Sequence, residues 1–368
     1  MVLKEIIELS RHYGKDKEYV IAGGGNTSYK NDEYIWVKAS GFALSTIDEN
    51  GFVCLSREKL EIINTRDYSS DVLKREEEVK NDLMASIVSN NGSRPSVESS
   101  LHNIINYPLV VHTHPTLGNS LLCSQNAEKY CNDLFGDEAL YIEYTDPGYI
   151  LFKKVAKELE NFRKHKGSDP KIIMLENHGI FVSGNSSKEI IDTYEHIEKQ
   201  ITKNLKQELP SPQIKDISAP ISSPLLFLYP DRDILFTKSV TSKLIMNFVK
   251  DEASFEAIAT AFTPDHIVYC KSHYIIIDET NEEDVEKMIS DYADSYGYYP
   301  KVIGIKGKGL LIIDDNESAA NIVIDLITNM IKISFYAHSF GKSKSLTPEQ
   351  ISFIENWEAE NYRKKMSK

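Results

Sequence analysis

Two rhythms of apolar residues, a helical spacing and short unbroken runs, alternate along most of the chain. Residues 2–12 set Leu3, Ile6, Ile7 and Leu9 on or near one helical face. Tyr34–Lys38 and Gly51–Leu55 read as strands, and residues 72–89 as a helix stopped by Asn90-Asn91-Gly92. Leu101, Ile104 and Ile105 have the spacing of a short helix that Ser96 is suited to cap, with Glu98 in its first turn. Leu109–His112 is a buried strand, and Pro115, which has no N–H to give a ladder, ends it. A helix near 116–133, a strand Leu140–Thr145 and a helix opened by Tyr149 follow. Then come the strands Lys171–Leu175 and Ile180–Val182 and a helix over 188–201. Further on, Ile267–Cys270 reads as a strand flanked by His266 and His273, and 317–334 as an apolar helix.

The polar residues that punctuate this pattern carry the chemistry. His112 and His114 stand two apart at a strand end, where residues i and i+2 share a face. His178, in Glu176-Asn177-His178-Gly179, sits where another buried strand meets a turn. Neutral imidazole suits zinc and other first-row divalent ions. The helix holding Glu98 leads directly into the His112 strand, so its carboxylate can return beside the histidines. Three strand-end histidines and a nearby acid match a catalytic metal site with an open position, although each alone also fits a packed polar residue. The turn Gly23-Gly24-Gly25-Asn26-Thr27-Ser28 offers backbone N–H groups and little bulk to an anion, or makes a tight hairpin. Ala39-Ser40-Gly41 is a second small-polar turn.

At 368 residues the chain suits two domains. Pro210, Pro212, Pro220 and Pro224 mark a linker, which divides it into a metal-binding domain at 1–208, a linker at 209–224 and a second domain at 225–368. Pro170-Lys-Ile-Ile-Met-Leu-Glu-Asn-His178-Gly179 aligns without a gap on Pro300-Lys-Val-Ile-Gly-Ile-Lys-Gly-Lys308-Gly309. The second domain therefore reads as a degenerate copy of the first, with Lys308 in the place of His178 and no metal of its own.

Charge and composition narrow the partners. A net charge of −13 with no basic block gives a nucleic-acid backbone no electrostatic hold. Cys54, Cys123, Cys131 and Cys270 form no CxxC pair. The N-terminus lacks the apolar stretch of a signal peptide, and no apolar run approaches the roughly 18 residues of a membrane span. A soluble cytoplasmic protein is expected, with no membrane partner.

Gly-Gly-Gly-Asn-Thr-Ser, Lys-Ala-Ser-Gly, Pro-Ser-Val-Glu, His-Thr-His-Pro and Glu-Asn-His-Gly occur here in the order and approximate spacing of the class II aldolase/adducin family. Within it, the chain most resembles the aldolase portion of bifunctional rhamnulose-1-phosphate aldolase/alcohol dehydrogenases; no Gly-x-Gly-x-x-Gly of a reductase domain follows a strand. The resemblance covers residues 18–200, and continues more faintly through Thr263-Pro-Asp-His266 and Ile354–Trp357. It implies an α/β fold, with α/β/α layers around a mainly antiparallel sheet. It also implies a divalent metal ion, commonly zinc, on His112, His114 and His178, with Glu98 as acid/base and Tyr149 as a tyrosine lent to a neighbouring subunit. Substrate phosphate is implied at Asn26, Thr27, Ser40, Gly41 and Ser96. The implied activity is cleavage of a ketose 1-phosphate to dihydroxyacetone phosphate and an aldehyde. A homo-oligomer, dimer or tetramer, and a separate reductase acting on the aldehyde belong to the same expectation. Sugar-phosphate 4-epimerases and decarboxylases share the metal constellation, and adducin-like binding proteins share the fold. Asp265, His266 and Lys308 of the second lobe are candidates to close the site.

Overall fold

In the computed structural model eight strands form one sheet: β1 (Asn26–Lys30), β2 (Tyr34–Lys38), β3 (Phe52–Ser56), β4 (Ile87–Ser89), β5 (Leu109–Thr113), β6 (Ala139–Ile142), β7 (Ile172–Leu175) and β8 (Gly179–Gly184). Their order is β4-β3-β2-β1-β5-β8-β7-β6, and only β6 and β7 run parallel. β5 lies near the middle with all five residues buried, which is why it reads as an unbroken apolar run. The structure describes residues 3–89, 92–217, 229, 235–278 and 282–357. They fall into two units, the first made from Met1–Leu122 and Asn126–Asn204 with Asn356 and Trp357, the second from Cys123–Gln125 and Leu205–Glu355.

In the first unit, helices cover both faces of the sheet. Val110, Phe181, Ile35 and Val37 pack under Leu60, Leu83, Leu101, Phe152 and Val155, from helices Arg57–Thr65, Val72–Ala85, Ser99–Ile104 and Tyr149–Lys166. On the other face, Thr27 meets Ser10 of helix Lys4–Gly14, and Thr113 meets Tyr194 of helix Ser187–Thr202. Alternation along β5 puts His112 on the same face as Val110. Local signals set the ends of these elements. Gly167, at φ 74, closes helix Tyr149–Lys166, whose last turn is basic, and Ser186 caps Ser187–Thr202 through the Glu189 N–H.

The second unit repeats part of this plan. Its strands β9 (Lys215–Asp216), β10 (Phe236–Thr241), β11 (Ile275–Ile277), β12 (Val302–Ile305) and β13 (Gly309–Asp314) stand in the order β11-β12-β13-β10-β9. This is the order β6-β7-β8-β5-β1 of the first sheet. The register agrees as well. Ile172 faces Val182 and Leu175 faces Gly179, while Val302 faces Ile312 and Ile305 faces Gly309. Both turns carry a positive φ at the corresponding residue, Asn177 and Gly307. Asn316 caps helix Glu317–Ala337 as Ser186 caps its counterpart. The second lobe is thus a degenerate aldolase-like fold. Helix Glu317–Ala337 and the residues after it are long and apolar enough to cross a membrane by length and composition. Ala320, Val323, Ile327, Met330 and Ile331 are nevertheless buried, as in a core helix.

Four elements differ from the sequence expectations. The 72–89 segment is helical only to Ala85, and Ile87–Ser89 pairs with β3 as a strand. The segment near 116–133 is two helices, Thr116–Leu122 and Ala127–Phe135. The strand expected over Leu140–Thr145 is Ala139–Ile142. Ile267–Cys270 belongs to the helix Pro264–Cys270, whose first position holds proline with its φ already helical. All seven residues of that helix are buried, which removed the periodicity that distinguishes helix from strand. In the stretch expected as linker, Lys215–Asp216 is an edge strand on β10, and 218–224 lies outside the described residues.

Candidate metal centre

His112, His114 and His178 come together with ligand atoms all within 4.8 Å of one another. The two β5-end imidazoles approach through their Nε2 atoms at 3.1 Å, and His178 arrives on the turn between β7 and β8. Partners outside the cluster hold the His112 ring. His112 Nδ1 lies 3.1 Å from the Ile180 carbonyl, which makes it the donor and leaves Nε2 for the site. The His112 ring also stacks on Phe181 at 4.1 Å between centroids. Gly179 is required beside them, since a Cβ there would stand 2.5 Å from the Thr113 carbonyl oxygen and 2.7 Å from His114 Cδ2. Gly25, at φ +63, passes against the His112 carbonyl, where a Cβ would lie 2.7 Å from the oxygen.

Glu98 occupies the residue before helix Ser99–Ile104 and returns to the histidines. Its Oε1 lies 3.6 Å from Nε2 of both His112 and His178, and is buried with no hydrogen bond. A buried, unsatisfied carboxylate oxygen beside three imidazoles is costly unless a cation completes it. Three imidazole nitrogens and one carboxylate oxygen fit zinc or another first-row divalent ion.

The second Glu98 oxygen leads into a buried polar chain. Asn26 Nδ2 donates to Glu98 Oε2 at 2.6 Å and reaches Ser96 Oγ at 3.2 Å, and Asn26 Oδ1 meets His102 Nε2. His102 Nδ1 lies 2.8 Å from Ser28 Oγ, and Lys30 Nζ donates to the His102 carbonyl at 2.7 Å. Burial, followed by the Lys30 and His112 charges, holds the His102 pKa well below its usual value. Burial likewise lowers Lys30, with Arg57 adding to it.

The other expected residues divide. Ser96 lies between Asn26 and Glu98, and its hydroxyl accepts the Glu98 N–H at 3.2 Å. Ser40 and Gly41 are tied to the same neighbourhood, because the Ser40 N–H donates to the Arg94 carbonyl and Ala39 bridges Pro95. Thr27 does not join them; strand alternation turns it to the opposite face, where Oγ1 bonds Ser10. Tyr149 packs its ring on Tyr68 at 4.9 Å, and its N–H points to Glu76. Asp265 and His266 are buried in the second unit, His266 against Thr263 and Asn329. Lys308 is exposed on the β12–β13 turn of that unit.

Three residues escaped the sequence reading. His102 is fully buried. Lys30 and Lys38 are also buried, and Lys38 Nζ reaches the Gly23 carbonyl at 3.3 Å, tying the glycine turn to β2. A lysine among strand residues reads as solvated, and only its apolar and polar neighbours across the sheet reveal otherwise.

The fold is an α/β fold of the aldolase type carrying a candidate metal site, and the chain belongs to the class II aldolase/adducin family. Residues 4–203 match the Class II Aldolase and Adducin N-terminal domain, and residues 231–364 match Aldolase class II, second domain. The chain is 24% identical over 408 residues to a Bacillus subtilis (strain 168) protein named uncharacterized oxidoreductase YuxG, covering 98% of this chain and 58% of that protein. It is 25% identical over 204 residues to L-fuculose phosphate aldolase of Methanocaldococcus jannaschii, covering 53% of this chain and 89% of the relative. The N-terminal class II aldolase domain of a conserved protein from Thermoplasma acidophilum aligns at 27% identity and a TM-score of 0.47, over 55% of this chain and 93% of that one.

Proposed function

We propose that the chain is a metal-dependent aldolase that cleaves a ketose 1-phosphate of the rhamnulose 1-phosphate kind into dihydroxyacetone phosphate and an aldehyde. The observation that supports this most directly is the unsatisfied Glu98 Oε1 at 3.6 Å from two of three clustered histidines. His112, His114 and His178 would hold a divalent ion, with zinc the expected one, and it would supply Lewis-acid polarisation of an α-hydroxyketone. In the cleavage direction the C3–C4 bond breaks, the C4 hydroxyl gives up its proton to become the aldehyde, and C3 takes one up. Glu98 moves the proton at C3, within reach of the same small volume. Ser40, Gly41 and Ser96 bind the substrate phosphate beside the glycine turn. Tyr149 serves the aldehyde end in a homo-oligomer, and a separate reductase consumes the aldehyde.

The test is metal analysis of the purified full chain, together with release of dihydroxyacetone phosphate from a panel of ketose 1-phosphates. Metal-dependent release from one of them is the expected result. A metal-replete protein that inverts or decarboxylates its sugar phosphate would move it to the epimerase or decarboxylase reading. A protein that binds no metal and turns over none of them would leave the adducin-like binding role.

A further inference from the structure

Glu98 needs one oxygen free for the metal centre and the other fixed, and the polar chain behind it defines a direction for every hydrogen bond. A carboxylate only accepts, so Asn26 must present its Nδ2 to Glu98 Oε2, at 2.6 Å. The amide then has its carbonyl oxygen turned the other way, toward His102 Nε2. An amide oxygen cannot donate, so His102 must carry its proton on Nε2. His102 Nδ1 is then an acceptor and takes the Ser28 hydroxyl proton, at 2.8 Å. The orientation of Glu98 is thereby written back into the tautomer of a histidine two hydrogen bonds away.

Each link is anchored. The Asn26 backbone pairs with His112 across β1 and β5, so its side chain starts from a fixed point beside the centre. The His102 ring is fully buried, sits edge-on to Phe181 at 5.3 Å, and has its own carbonyl held by Lys30. Phe181 in turn stacks on His112. Without such a clamp the terminal torsion of a glutamate is broad, and either oxygen could turn to the site.

We propose that His102 is a positioning residue: acting through Asn26, it fixes the Glu98 carboxylate so that Oε2 is held and Oε1 faces the three histidines. This rests on the reading of Glu98 as acid/base given above. Asn26 then serves Glu98, where the family resemblance places it on phosphate.

Two measurements test it. In the metal-free, 15N-histidine-labelled wild-type chain, long-range proton–nitrogen spectra should show His102 as the neutral Nε2–H tautomer. The Nδ1–H tautomer would overturn the proposal, because Asn26 would then have to turn its carbonyl toward Glu98. In the metal-loaded protein, His102→Phe removes the donor to Asn26, and kcat should fall by about 10–100-fold with KM within about twofold. His102→Gln, which keeps an N–H donor, should recover most of that loss. An unchanged kcat in His102→Phe, or a fall that His102→Gln does not relieve, would overturn it. If wild type cleaves no ketose phosphate, the aldolase reading fails, while the tautomer still decides the hydrogen-bond chain.

Discussion

Lys308 holds in the second unit the turn position that His178 holds in the first. Each residue's N–H returns to the last carbonyl of the preceding strand, Lys308 to Ile305 at 2.9 Å and His178 to Leu175 at 3.3 Å. The correspondence extends to the neighbouring strand. Leu311 faces Ser239 on β10 where Phe181 faces His112 on β5, so Ser239 and Thr241 stand in the places of His112 and His114. Ser, Thr and Lys are poor ligands for a zinc-like ion. One divalent ion per chain is therefore expected in elemental analysis of the purified protein. His114→Ala should carry none while keeping its far-UV circular dichroism. Full occupancy in that variant would place the ion elsewhere.

Glu98→Gln keeps the shape of the side chain and its contact with Asn26 but removes the group that moves a proton. Turnover of the best ketose phosphate should drop by about 10²–10⁴-fold. Steady-state rates at saturating substrate decide this, and an unaffected rate would shift the acid/base role to another residue.

The Ser40 turn and the Asn26 side chain should separate kinetically. Ser40→Ala should raise KM for a phosphorylated ketose far more than for its unphosphorylated analogue. Asn26→Ala should act mainly on kcat, since its amide is engaged with Glu98 and His102. Equal effects of Ser40→Ala on both substrates would make that turn purely structural.

Gly179→Ala should disturb stability and metal binding together. Its Cβ would fall 2.5 Å from a backbone oxygen and 2.7 Å from the His114 ring, and backbone cannot give way as a flexible side chain can. A loss of about 1–3 kcal/mol in urea denaturation is expected, with weaker cobalt or zinc uptake. Wild-type stability with wild-type uptake would contradict the close packing of this turn on the histidines.

His102 should also leave a mark on the pH dependence of folding. Its folded pKa is held well below the ordinary 6.5, chiefly by burial. Below that pH the unfolded chain binds a proton that the native ring refuses. Its contribution is therefore complete above about pH 6.5 and is lost on acidification, at up to roughly 1.4 kcal/mol per pH unit. His102→Gln cannot titrate, so its stability should fall less steeply than wild type between about pH 6.5 and pH 5. Parallel denaturation profiles for the two proteins would show that His102 takes up its proton in the native state.

Glu98, His112, His114 and His178 were legible because each sits where a periodic segment stops. Polar residues at strand ends and helix starts stand out against apolar runs, and strand alternation alone puts His112 and His114 on one face. The β7–turn–β8–helix unit and its second copy were legible for the same reason, since their hydrophobic pattern repeats without a gap. Ile267–Cys270 was not, because a helix buried on every side shows no helical stripe.

What the sequence by itself determined is the inventory and its spacing: three imidazoles, one carboxylate, two small-polar turns and a copied lobe lacking the histidines. The tertiary structure alone decided how those groups are used. Thr27 and Asn26 are adjacent in sequence, yet the strand sends one to Ser10 and the other to Glu98. His102 and Lys30 look ordinary in the chain and become a buried pair only when β1 lies beside helix Ser99–Ile104. The physical reason is that burial and hydrogen-bond direction arise from segments far apart in sequence, and no local pattern encodes which donor meets which acceptor across a sheet.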